Sequence, residues 1–205
     1  MSSRPGVEFW FDFTSLYSYP AVMRVEALAQ AHGRSVLWRP FLLGPVFRAL
    51  GWQGPPLFVH AAKGDYAWRD VARRCRLHGL PFQRPPAFPM PSVLALRVAT
   101  LGVDAPWIGA FCREVMRVGF GEARAIDSED VLGSILRGLG LAPGEVLARA
   151  TSDSNKAALR ARTEEATARG IFGAPMTCVD GEMFWGDDRL EEAMAWGGGD
   201  DADPS

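Results

Sequence analysis

Two short stretches carry residue types and spacings on which chemistry could be built. The first is Phe11-Asp12-Phe13-Thr14-Ser15-Leu16-Tyr17-Ser18-Tyr19, where alternating apolar residues give way to hydroxyl side chains. Where a strand hands over to a helix, free backbone N–H groups and the positive end of the helix dipole converge, a setting that favours negative charge. A serine there can hold an anion through its hydroxyl; it can equally cap the helix, as Ser and Thr at such junctions mostly do. The second stretch is Gly170-Ile171-Phe172-Gly173-Ala174-Pro175-Met176-Thr177, a glycine-rich approach to a proline that opens a strand-like run. A proline so placed is compatible with a cis bond and with a plain trans edge start. Disulfide exchange is excluded as a chemistry of the first stretch, because no cysteine lies near Ser15 to attack or resolve.

The elements that must position these stretches can be read from periodicity. Residues 7–13 alternate, with Val7, Phe9, Phe11 and Phe13 on one face and Glu8, Trp10 and Asp12 on the other, which predicts a strand. Residues 17–32 place Ala21, Val22, Val25, Leu28 and Ala29 at helical spacing, and Gly33 follows as a stop. Residues 35–42 read as a second strand, so the chain opens as a βαβ unit with two parallel strands. It closes differently. Residues 176–179 and 183–185 form a hairpin around Asp180-Gly181-Glu182, and a helix follows over 188–196. Between them, helices are predicted near 65–78, 92–101, 105–118, 128–139, 143–149 and 153–169, with a rigid proline-rich loop over 81–91. A βαβ half at 7–44 and a ββα half at 170–196, separated by a helical insertion at 45–169, make an α/β thioredoxin-like fold. Residues 197–205 read as a disordered tail. In such a fold the start of the first helix and the loop before the third strand face each other across one groove.

Bulk properties narrow the function classes. Nearly half of the 205 residues are apolar, and the net charge is −2 with acids and bases mixed along the chain. That leaves no basic footprint for nucleic acid and no basic helix for an anionic membrane surface. No segment approaches the roughly eighteen apolar residues of a membrane helix, and the first residues do not resemble a secretion signal. Cys75, Cys112 and Cys178 are far apart and odd in number, which points to a reducing cytoplasm and to small core residues. His32, His60 and His78 are dispersed, and neither a metal site nor a serine–histidine triad is expected.

At this point the chain resembles a family. Residues 11–19, followed by Ala21, are similar to the FDFxSPYSYLA opening of bacterial 2-hydroxychromene-2-carboxylate isomerases, relatives of kappa-class glutathione transferases within the DsbA-like group. Arg39-Pro40-Phe41-Leu42-Leu43-Gly44-Pro45-Val46-Phe47, Ala62-Lys63 with Tyr66 and Asp70, Leu77-His78-Gly79-Leu80-Pro81-Phe82 and Ala95-Leu96-Arg97 also fit. So do residues 170–175 and Phe184-Trp185-Gly186-Asp187-Asp188-Arg189-Leu190, and the resemblance spans about residues 7–196.

The resemblance implies reduced glutathione as cofactor and an aryl 2-oxo acid as substrate. The implied activity interconverts 2-hydroxychromene-2-carboxylate-type compounds and trans-o-hydroxybenzylidenepyruvate by reversible thiolate addition, in aromatic compound degradation, by a cytoplasmic homodimer. Ser15 matches the serine that gives a hydrogen bond to the glutathione sulfur. Pro175 matches the cis-proline, and Ala174 before it would offer its backbone to the cysteinyl part like an added strand. Trp185 and Gly186 lead into Asp187 and Asp188, which match the pair that receives the γ-glutamyl end; Asp188 would face its ammonium, although both can also simply cap the last helix. Lys63 matches a lysine near the glycine end or the substrate carboxylate, and can equally be solvated. Gln53, Gly54 and Tyr17 fall on the substrate side. The chain departs from the pattern at Leu16 (usually Pro), Pro20 (usually Leu), and Gln53 and Pro91 (both usually Asn). With no N–H on Pro20, one first-turn hydrogen bond is expected to be lost. A kappa-like transferase or peroxidase acting on another electrophile would share every glutathione contact. A peptide-binding module without catalysis would keep only the groove.

Overall fold

The computed structural model describes residues 6–52, 54 and 59–197. The chain opens with β1 (Val7–Phe11), α1 (Ser18–Ala31) and β2 (Val36–Pro40). Gly33, at φ 67°, ends α1, and the left-handed turn there is open to glycine without a steric cost. The strands are parallel, with Phe9 opposite Trp38 and Phe11 opposite Pro40.

The middle is helical, as its spacing predicts: α2 (Leu43–Ala49), α3 (Ala61–Leu77), α4 (Val93–Leu101), α5 (Ile108–Met116), α6 (Glu129–Gly138), α7 (Pro143–Ala150) and α8 (Asp153–Ala168). The Ser128 hydroxyl caps α6 by accepting from the Val131 N–H, and Pro143 opens α7. Two features depart from the sequence expectation. Helix α2, with Gly44 and Pro45 in its first turn, is not among the helices predicted from sequence and crosses the boundary drawn at residue 44. Its proline costs nothing there, because first-turn N–H groups have no partner within the helix. The helix expected over 105–118 is instead α5 followed by one π-helical turn (Arg117–Gly121). Glycine fits closely within that turn, since a Cβ on Gly119 would stand 3.0 Å from Met90 Cε and 3.1 Å from Ile126 Cγ2 and would oblige those side chains to give way.

The chain then returns with β3 (Met176–Val179) and β4 (Glu182–Trp185), joined by Asp180 at φ 51° and Gly181 at φ 92°, the two positive values of a type I′ turn. A 3₁₀ turn (Asp187–Arg189) precedes α9 (Leu190–Ala195), where the sequence suggests a single helix. Strand β3 pairs antiparallel with β1, and the sheet order is β2-β1-β3-β4. The first strand of the chain is therefore central.

Alternation in β1 explains how the core divides. Phe9, Phe11 and Phe13 are fully buried in one cluster with Val22, Val25, Phe111 and Leu96. Trp10, on the opposite face, is as deeply buried, among Phe41, Val46, Ala166, Ile171 and Met176 beneath α2 and α8. Covering the sheet on both faces is what lets Trp10 be buried as deeply as the phenylalanines, on the face it shares with the charged Glu8 and Asp12. Each fully buried aromatic stabilises the fold by roughly 2–3 kcal/mol before conformational costs. Among the described residues, no helix is long and apolar enough to cross a membrane, and no group of His, Cys, Asp and Glu is arranged to hold a metal.

Candidate functional site

The site is built where β1 runs out. The Asp12 carboxylate is 2 % exposed, and Oδ1 accepts from the Thr14 N–H at 2.8 Å, tightening the turn. Oδ2 accepts from the Leu43 N–H at 2.8 Å and Oδ1 from the Ser92 hydroxyl at 3.3 Å, so one side chain ties the β1–α1 turn to α2 and to the loop before α4. Burial pushes its pKa up; the donated hydrogen bonds only partly offset this.

That turn presents Ser15. The Ser15 N–H reaches back to the Asp12 carbonyl at 3.0 Å, and the Ser18 N–H donates to the Ser15 carbonyl at 3.1 Å and to its Oγ at 3.3 Å. The half-exposed hydroxyl donates to the carbonyl of Ala174 at 2.7 Å, across 159 residues of chain. Both alternatives open from sequence are thus partly realised: Ser15 accepts from the start of α1, and it also faces the loop before β3. The Ala174–Pro175 bond is cis. Helix α1 has no acidic residue in its first turn and its N-cap residue, Tyr17, makes no side-chain capping bond; among the described residues the buried Ser18 Oγ has no hydrogen-bond partner. The positive end of this helix is left without a counter-charge of its own.

Pro20 corrects an expectation. It falls in the first turn of α1, where its missing N–H would have had no intrahelical acceptor, so no hydrogen bond is lost. Leu16, in place of the family's proline, is buried in the main core.

The wall beyond Ala174 is aromatic. The Trp185 Nε1 lies 2.5 Å from where a Cβ on Gly173 would stand, so only glycine lets the indole approach this backbone. Phe172 packs edge-on against Trp185 at 5.1 Å, and the two are 38 % and 55 % exposed. The Gly186 N–H donates to the Pro175 carbonyl at 3.0 Å, and Gly186 has φ 116° and ψ 159°, a conformation open only to glycine. The fold therefore brings Ser15, Ala174, Pro175, Trp185 and Gly186 together as the sequence reading groups them.

On the other side stands Tyr17, half-buried, with its hydroxyl donating to Asp70 Oδ2 at 3.0 Å. Burial and the Asp70 charge, with a smaller contribution from Asp188, raise its pKa, so the phenol stays protonated. Asp70 is held in turn by Arg73 at 2.9 Å, whose guanidinium lies 5.4 Å over the Tyr66 ring. Asp70 is a site residue that the sequence reading leaves without a role, although it stands one helical turn after Tyr66 in the matched motif.

Asp187 and Asp188 separate in space. The Asp187 carboxylate is buried between Arg24 at 2.8 Å and Arg74 at 2.5 Å, so a ligand can meet that position only through its backbone. Asp188 is exposed. Lys63 is exposed in the first turn of α3 and forms no ion pair among the described residues. Gly54 is half-exposed with open space at its Cβ position, and Gln53 lies outside the described residues. A cavity of about 300 Å³ lies elsewhere, between α5 and α6, lined by Arg117, Val131 and Ile135 and by none of the residues above. All three cysteines are free and buried, none at Ser15.

Comparison with known proteins agrees with this architecture. Residues 6–194 match the DSBA-like thioredoxin domain. The 2-hydroxychromene-2-carboxylate isomerase of Pseudomonas putida is 30% identical over 191 residues, covering 92% of this chain and 93% of its own. A glutathione S-transferase kappa 2 of Caenorhabditis elegans is 26% identical, covering 94% of this chain and 91% of its own. A solved structure of 2-hydroxychromene-2-carboxylate isomerase superposes with a TM-score of 0.83 at 29% identity, covering 92% of this chain and 93% of the other. On the extent of these matches, the chain belongs to the DSBA-like thioredoxin-domain family and, within it, to the 2-hydroxychromene-2-carboxylate isomerase family.

Proposed function

We propose that this protein is a glutathione-dependent isomerase that interconverts 2-hydroxychromene-2-carboxylate-type compounds and trans-o-hydroxybenzylidenepyruvate. The observation that carries the reading is the pairing of the Ser15 hydroxyl with the Ala174 carbonyl, 2.7 Å apart at the positive end of α1, whose first turn holds no acid. The donor set fits a peptide thiol: a hydroxyl and a helix N-terminus for sulfur, and a carbonyl beside it for an amide N–H. When bound, glutathione supplies a nucleophilic sulfur whose reversible addition to a conjugated double bond allows that bond to rotate.

The chain's own residues orient and charge that sulfur. Ser15 donates to it, and together with the dipole of α1 favours its ionised form by about 1–2 kcal/mol, roughly one pH unit. Ala174 and Pro175 hold the cysteinyl segment, and the backbone around Gly186 and Asp187 receives the γ-glutamyl carboxylate while Asp188 faces the ammonium. Trp185 and Phe172 offer apolar surface beside the sulfur, and Tyr17, kept protonated by its setting, offers a hydroxyl to the substrate side.

Calorimetric titration with reduced glutathione tests the reading, with saturation below roughly millimolar ligand expected and much weaker binding of the oxidised form. Replacing Ser15 by Ala spares binding but raises the bound thiol's pKa by the larger part of that unit, the dipole of α1 keeping the rest; an unchanged value would remove the role given to Ser15. A second reading, a kappa-like transferase acting on another electrophile, is favoured by the near-full-length similarity to the C. elegans protein. Turnover of chromene-carboxylate without loss of free glutathione separates the two, since a transferase consumes the thiol.

A further inference from the structure

A hydroxyl has one proton, and Ser15 has already placed it. The Ala174 carbonyl that receives it belongs to a residue only 7 % exposed, and among the described residues nothing else donates to that oxygen. Resting on the function proposed above, Ser15 must give the same proton to the ligand's sulfur. It cannot do both. As Ser15 turns to the sulfur, the carbonyl loses its donor in a place where water has little access, and an unmet buried acceptor is costly.

We propose that Ser15 and the Ala174 carbonyl form a hydrogen-bond latch that reserves sulfur activation for thiols carrying a peptide N–H on the carbon next to the thiol-bearing one. Such a ligand supplies its own donor to the Ala174 carbonyl, and that replacement releases the Ser15 proton for the sulfur. The thiol's own proton passes to solvent, leaving a thiolate that accepts from Ser15. A thiol without that N–H either leaves Ser15 bonded to Ala174, and so gains nothing from it, or strands the carbonyl. The Oγ itself stays anchored throughout by the Ser18 N–H at 3.3 Å, so the switch needs only a rotation of the O–H. The specificity lies in a backbone oxygen, which makes it invisible to a search for conspicuous side chains.

The test follows ultraviolet thiolate absorbance against pH on protein saturated with three ligands: glutathione, glutathione methylated on the cysteinyl nitrogen, and 2-mercaptoethanol. The last is soluble enough to be raised to saturation, which keeps the comparison readable if the methylated peptide binds weakly. The latch predicts a midpoint lowered from its free value by about one pH unit, near tenfold more thiolate at neutral pH, for glutathione, and by only the smaller share of the α1 dipole for the other two. In Ser15→Ala all three ligands then shift alike from their free values. Equal lowering for all three thiols on the unaltered protein would overturn the latch while leaving the isomerase reading intact. Failure of glutathione itself to bind would instead overturn the functional reading on which the latch rests.

Discussion

At the scale of single residues, the buried charges around the groove have different duties. Asp187 stands where the resemblance implies a cofactor contact, yet its carboxylate is spent on Arg24 and Arg74. Arg24 also reaches Glu191, so the cluster locks α1, α3 and the start of α9 together. Replacing Asp187 by Asn leaves two partly buried guanidiniums without their shared counter-ion. The expected loss is about 3 kcal/mol, the low end for a broken buried pair, because Glu191 remains. Urea unfolding measures it directly; a change below about 0.5 kcal/mol would mean that water already screens the cluster. Asp12 is the second such residue. Its place in the alternation that opens the chain was legible, but its two tertiary hydrogen bonds were not, because Leu43 and Ser92 come from segments whose approach no local pattern announces.

At the scale of elements, what was legible followed from period and punctuation. The alternation in β1, the Asp-Gly hairpin and the glycine after α1 are local signals, and the structure has all three. Helix α2 was not legible, because Gly44 and Pro45 mimic a loop, and its first N–H is satisfied by Asp12 from another element. The π turn after α5 was hidden for a similar reason: Gly119 within it lies close under Met90 and Ile126, which come from other segments of the chain. The link from β4 to the last turn of helix is the most demanding piece of backbone at the site. A Cβ on Gly186 would meet Asp188 Oδ1 at 2.4 Å, and its φ of 116° strains any L side chain. Gly186→Ala is expected to cost about 1–3 kcal/mol and to weaken glutathione binding in the calorimeter, because Asp188 and the Pro175 carbonyl both depend on this residue. Unaltered stability and affinity together would show that the segment is not held in that conformation.

At the scale of the whole molecule, the three thiols report on packing. Burial pushes Cys75 up to about 12 and Cys178 up to about 11, from an ordinary 9.0, and Cys112 is also raised. The unfolded chain therefore loses its thiol protons first. Stability that is complete below about pH 9 is expected to fall as pH rises through the folded values, which denaturant midpoints at about pH 8 and about pH 10.5 compare. A thiol reagent should find none of the three until denaturant is added; rapid reaction of the folded protein would contradict their burial. The groove was readable only as two separate stretches. Their union is a matter of topology, for the serine comes from near one end of the chain and its partner carbonyl from near the other. This order has a consequence during synthesis. Strand β1 leaves the ribosome before the other strands of its sheet, yet one of its edges has no neighbour until β3 is translated, after the whole helical middle. Through most of elongation the future centre of the sheet is an open apolar ribbon, the kind of edge that invites wrong pairing. The groove can close only after Ala174 and β3 have been made, 159 residues after Ser15.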